Sequence, residues 1–209
     1  MKRIKYGLIL IIIILIYGSN LVLGASVTGG ELSGDRITFY FAESEKGEVI
    51  IVEENVILNY REMKAEADFG RHEVESGFIL LRDNIRMEQE DHTLTAGRME
   101  GNLEEEELHF SGGVEAKSGE RIISGEQLDY NHEQGEMIFP DRTRVSYNNI
   151  EAEADRVEYY PAEDRILLSG NVEGSQNGRE FSAAEIELRE DRMVMREGSR
   201  IRFTDGGEE

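Results

Sequence analysis

The chain repeats itself every 29 residues, and that period limits what it can fold into. The stretch Ile166–Val172 joins a short apolar run to Gly170, Asn171 and the β-branched Val172. Gly and Asn tolerate left-handed backbone angles, so such a pair belongs where a strand bulges or bends. Steps of 29 residues from Val172 reach Thr143, Val114, Ile85 and Val56 in one direction and Ile201 in the other. A unit of this length cannot bury its own apolar face and must stack on its neighbours, so the chain reads as an array.

The repeat resolves into columns. Ile50, Ile79, Leu108, Met137, Ile166 and Met195 stand 29 apart, and two positions on stand Val52, Leu81, Phe110, Phe139 and Leu168, with Glu197 breaking the column. Side chains two apart on a strand share a face, so both columns point inward. A third column is small: Ala67, Ala96, Gly125, Ala154 and Ala183. The next apolar position comes three residues later, at Gly70, Met99, Leu128, Val157 and Ile186. An odd step would flip the inward face, so a bulge or bend within each strand is required. No helical periodicity of useful length competes with this pattern.

Two turn columns separate the strands. One runs through Arg61-Glu62, Glu90-Asp91, Gly119-Glu120, Asn148-Asn149 and Asn177-Gly178; the other through Ser76-Gly77, Glu105-Glu106, Gln134-Gly135 and Glu163-Asp164. Tight turns join antiparallel strands. The reading is therefore all-β: an elongated antiparallel jelly roll, or folded two-sheet array, of about 12 strands built from 29-residue repeats. A right-handed parallel β-helix also repeats at such lengths, but two hairpin turns per unit favour the antiparallel form. The unit ending at Thr143 reads Phe139-Pro140-Asp141-Arg142-Thr143, without the Gly-Asn pair, and a local distortion is expected at Pro140.

The first 25 residues read as a secretory signal: Lys2, Arg3 and Lys5, then an apolar stretch from Gly7 to Ile16, then Leu23-Gly24-Ala25. An uncleaved membrane anchor over Tyr6–Ala25 is the alternative. Either way residues 26–209 form one β domain outside the cytoplasm. With no cysteine in the chain, burial and strand pairing alone must hold it. The net charge is −21; removing the signal takes 23 basic residues to 20 against 44 acids, or −24. Such a surface argues against nucleic acid as a partner.

Two segments carry a family resemblance: Ala154-Asp155-Arg156-Val157-Glu158-Tyr159, and Leu167-Leu168-Ser169-Gly170-Asn171-Val172. Partial copies are Gly125–Tyr130 and Phe110–Val114. These repeats resemble the periplasmic β-jelly-roll proteins of lipopolysaccharide transport, the LptA/LptC/OstA-like family. The resemblance implies a periplasmic carrier that shields lipid A acyl chains and stacks head to tail with other jelly-roll domains of a bridge between inner and outer membranes. Its partners would be lipopolysaccharide or a related lipid, those domains, and further copies of itself. On that reading Ile50, Val52, Ile79, Leu81, Leu108, Phe110, Met137, Phe139, Ile166 and Leu168 line an apolar trough. Ile37 and Phe39 would serve assembly at the N-terminal edge, and Met193, Met195, Ile201 and Phe203 at the C-terminal edge, because unpaired strands invite strand addition.

Catalysis finds no support in the residues. The histidines are His72, His92, His109 and His132; none has metal-ligand spacing, and they read as surface residues. No nucleophile elbow or phosphate loop occurs. Carboxylate pairs such as Glu104–Glu107 are expected in a chain with 44 acids. The expectation is a protein without enzymatic activity, metal or cofactor. The other classes left open are an envelope repeat protein assembling by its edges and a β-helix acting on carbohydrate.

Overall fold

The computed structural model describes residues 23–27, 29–44 and 47–203, the first of these as backbone. Residues 1–22, the bulk of the expected signal, lie outside the described residues. The chain forms one antiparallel meander. Its strands are β1 (Leu23–Val27), β2 (Gly30–Gly34), β3 (Arg36–Tyr40), β4 (Val49–Tyr60), β5 (Met63–Glu73), β6 (Phe78–Gln89), β7 (His92–Asn102), β8 (Glu107–Ser118) and β9 (Arg121–Asn131). There follow β10 (Glu136–Phe139), β11 (Thr143–Tyr147), β12 (Ile150–Ala154), β13 (Arg156–Tyr160), β14 (Arg165–Gln176), β15 (Arg179–Arg189), β16 (Arg192–Arg196) and β17 (Arg200–Phe203). A 3₁₀ turn, Pro161–Glu163, sits between β13 and β14.

Several of these segments are halves of one bent strand. β2 and β3 pair with the two halves of β4, while β10 and β11 flank Pro140-Asp141-Arg142 and both pair with β9. β12 and β13 both pair with β14, and β16 and β17 both pair with β15. Counting such halves together gives twelve long strands after β1, in line with the sequence period. The break at Pro140 is the expected distortion: a proline offers no ladder N–H, and Thr143 Oγ1 donates to the Asp141 carbonyl there at 2.7 Å.

The bends fall where the columns place them. The ladder slips between Glu53 and Val56, Arg82 and Ile85, Ser111 and Val114, and Ser169 and Val172. The skipped residues are left-handed: Glu54 and Asn55 (φ 65 and 51°), Asp83 and Asn84 (66 and 55°), Gly112 and Gly113 (83 and 74°), Gly170 and Asn171 (75 and 45°). Three of the asparagines are pinned to an aspartate of a neighbouring strand. Asn55 Nδ2 donates to Asp35 Oδ2 at 2.7 Å, Asn84 to Asp68 at 2.7 Å and Asn171 to Asp155 at 2.6 Å. This row of bends divides the meander into two half-sheets facing each other.

The interior is one continuous hydrophobic cluster from Leu32 to Leu188. The small column is needed at the vertex, where the half-sheets pinch together. A Cβ on Gly125 would stand 2.9 Å from Thr143 Oγ1 and 3.0 Å from Phe139 Cδ1. Outward positions carry charge in cross-strand and same-strand pairs such as Arg144–Glu153 (2.8 Å) and Lys64–Glu66 (2.6 Å). These are exposed and contribute little each.

Candidate functional site

All ten expected trough residues face the interior and are 0–2% exposed. They belong to the one packed cluster, with Phe110 edge-on to Tyr130 at 6.2 Å between ring centroids. The trough is thus filled by its own side chains, and the two half-sheets close on each other.

The expected edge residues divide into two kinds. Ile37, Phe39, Met193 and Met195 are half-buried against the two ends of the core. Ile201 and Phe203 are 50% and 68% exposed on β17, and Arg179 lies 5.5 Å from the Phe203 ring centroid. Phe41, in the loop after β3, is 74% exposed and was not singled out by any column. At the N-terminal side β1 pairs with β2 in the register Leu23↔Gly34 to Val27↔Gly30, so this strand crosses the expected cleavage point between Ala25 and Ser26.

Opposite the bends lies the mouth, where two rows of hairpin tips meet. Contacts across it repeat along the array. Tyr60 Oη donates to the Leu103 carbonyl at 3.0 Å, and one unit later Gln89 Nε2 donates to the His132 carbonyl at 2.9 Å. Tyr130 Oη donates to Gln89 Oε1 at 2.8 Å, and Arg121 pairs with Asp164 while lying 4.5 Å from the Tyr147 ring centroid. Burial pushes the Tyr130 phenol up to about 12, with the Glu90 carboxylate adding to it. The tyrosines form a belt whose rings face the core and whose hydroxyls meet the polar tips.

The histidines correct the sequence reading. His109 is exposed and sits 2.7 Å from Asp129, but His72, His92 and His132 are buried at 6, 8 and 4% exposure. Each continues an inward column by one step of two: Gly70 to His72, Tyr130 to His132, and Leu94 back to His92. Extending the columns puts all three on the inward face, while their burial depends on what closes over the strand ends. His72 Nδ1 lies 3.2 Å from the Phe78 carbonyl, and burial holds its imidazole below the ordinary range. His132 Nε2 lies 3.2 Å from the Leu103 carbonyl and meets Tyr60 edge-on at 5.5 Å. Among the described residues no three His, Cys, Asp or Glu side chains are grouped to hold a metal ion.

The mouth tips are acidic. Glu133 is held above the usual carboxylate range by the hydrogen-bonded Glu106 carboxylate, which is itself lowered by the same contact and by Arg61. A like charge close by disfavours ionisation of its neighbour.

A bent antiparallel meander with an apolar interior and strand edges at its ends defines an open-ended β-jelly roll. Residues 100–193 match the family model described as LptA/(LptD N-terminal domain) LPS transport protein. That match, over rather less than half of the chain, supports an LptA/OstA-like family, in agreement with the resemblance of the repeat motifs. A solved structure similar to the chain is LptH from Pseudomonas aeruginosa, described as the LptA homologous periplasmic component of the conserved lipopolysaccharide transport device. That likeness covers 68% of this chain and 94% of LptH at 13% identity and a TM-score of 0.33, too loose to bear on function. No curated protein sequence matches the chain significantly.

Proposed function

We propose that this protein is a periplasmic component of lipopolysaccharide transport that holds acyl chains between its half-sheets and stacks end to end with other jelly-roll domains. The observation that carries the reading is the continuous apolar cluster that runs along the array from Leu32 to Leu188. Such an interior accepts hydrocarbon without covalent chemistry, at about 0.8 kcal/mol per buried CH₂. The family match over residues 100–193 supports lipopolysaccharide as the cargo class. Because the columns are packed, acyl chains enter only when the half-sheets part. The bend row is the hinge, and the Tyr60–Leu103 and Gln89–His132 contacts are the latches that must release. Stacking uses the outer edge of β16 and β17, where Ile201 and Phe203 stand exposed.

Photo-crosslinking tests the reading. A photoreactive residue is placed at Leu81 or Phe110, which face inward, and at Glu88 or Glu115, which face outward. After incubation with lipopolysaccharide, adducts are expected from the inward pair alone. Equal labelling from both faces, or none from the interior, would overturn the carrier reading. Lipid-free filaments would then favour an envelope protein assembling by its edges.

A further inference from the structure

The two ends of the array differ. At the C-terminal end β16 and β17 both add to β15 and stand level, one on each half-sheet. At the N-terminal end β2 and β3 add to the two halves of β4 in the same way, but β1 then lies on β2 alone. Among the described residues no further strand pairs with residues 36–39 of β3. One half-sheet therefore projects one strand beyond the other, a step of about 4.7–4.9 Å. A bent strand arriving from a neighbouring domain cannot pair with β1 and β3 at once, so the step removes half of the ladder it would otherwise form.

Without β1 the two ends fit each other. Strand-to-strand pairing links β3 to β16 through one half-sheet and β2 to β17 through the other. The chain crosses the bend from β2 to β3 at one end and in the opposite direction, from β16 to β17, at the other. Laying β17 of one copy on β2 of the next, and β16 on β3, therefore makes both junctions antiparallel and continues the meander. The lengths match as well. β16 and β17 offer five and four residues, and β3 and β2 offer five each.

We propose that β1 is a displaceable plug: while it holds the β2 edge the chain ends a stack, and once it leaves the chain becomes a link that accepts the β16–β17 edge of a second copy. This rests on the end-to-end stacking proposed above and adds what controls it. β1 spans only five residues, and Gly24 and Ala25 among them are poor strand formers. It covers one half-sheet, whereas an incoming edge pairs with both. Cleavage after Ala25 would leave it Ser26 and Val27 alone, so processing of the N-terminal segment opens the edge.

Sedimentation velocity of the full chain in detergent, over a range of concentrations, tests the plug in a locked and an opened form. Ser26 stands opposite Glu31, and the chain has no cysteine, so Ser26→Cys/Glu31→Cys gives one disulfide that staples β1 in place. Non-reducing electrophoresis confirms that the bond is intramolecular. Gly24→Pro/Ala25→Pro unseats β1, because amides of successive residues point to opposite sides of a strand and one of the two prolines removes a ladder donor. Far-UV circular dichroism confirms that each variant is folded. The stapled chain is expected to need at least tenfold higher concentration to assemble than its reduced form, and the proline variant at least tenfold lower than the unaltered chain. Equal assembly of stapled and reduced chains overturns the proposal, as does a proline variant that assembles no more readily. Phe203→Asp in the proline variant separates the two readings. If it abolishes assembly that the state of β1 leaves unchanged, stacking stands and the plug falls. Assembly of the proline variant that survives Phe203→Asp, or no assembly by any form, overturns both.

Discussion

Replacing Phe110 by alanine is the most direct test of whether the interior is a packed core in the lipid-free protein. Phe110 is 1% exposed, sits on β8 opposite Met99 and Leu128, and meets Tyr130 edge-on at 6.2 Å. Truncation removes the whole ring from the centre of the array, where flanking strands are fixed by their ladders and cannot collapse inward. Buried Phe→Ala changes cost about 3–5 kcal/mol, and loss of the aromatic pair places this site toward the upper half, about 4 kcal/mol. With a urea dependence of about 2 kcal/mol/M, the unfolding midpoint should fall by about 2 M. The chain has no tryptophan, so the assay is urea unfolding followed by far-UV circular dichroism at the strand minimum. Phe110→Leu, which refills most of the volume, should cost only about 1–1.5 kcal/mol. A loss below about 1 kcal/mol for the alanine variant would refute the reasoning, because a side chain facing open or collapsible space leaves no such cavity.

Other outcomes follow from single features. Gly170→Ala should cost more than Gly113→Ala. Both sit near φ +75°, but the Cβ at 170 meets Asp155 Cβ at 3.0 Å while nothing lies within 4 Å at 113. Unfolding midpoints should separate strain alone, about 1–2 kcal/mol, from strain plus crowding; equal losses would contradict the geometry. His72, held down by burial against the Phe78 carbonyl, stays neutral while the unfolded chain takes up a proton. Stability present above about pH 6.5 is therefore lost as the pH falls through the lowered native value, and His72→Leu should flatten that slope between pH 7 and 5. An unchanged slope would assign the acid sensitivity elsewhere. Phe203→Asp, on the exposed β17 edge, should raise the concentration at which light scattering detects self-association; no change would remove that edge from stacking.

The sequence alone determined the repeat, the bends and the core columns. Side-chain alternation is a local property of a strand, so Val52, Leu81, Phe110, Phe139 and Leu168 are legible as inward without knowledge of any neighbour. The bends are legible too, because left-handed backbone selects Asn and Gly; where Glu54 and Asp83 stand in place of glycine, the following Asn55 and Asn84 still mark the site. Tertiary structure alone decided the mouth. Tyr60 meets Leu103, Gln89 meets His132 and Arg121 meets Asp164, each contact joining tips of opposite half-sheets that are not neighbours in the meander. Which tips face each other depends on the bend angle and the twist accumulated across the array, quantities that no single strand encodes. For the same reason the burial of His72, His92 and His132 emerged only once the half-sheets were closed. Near a strand end the inward face is dry or wet according to what stands across from it.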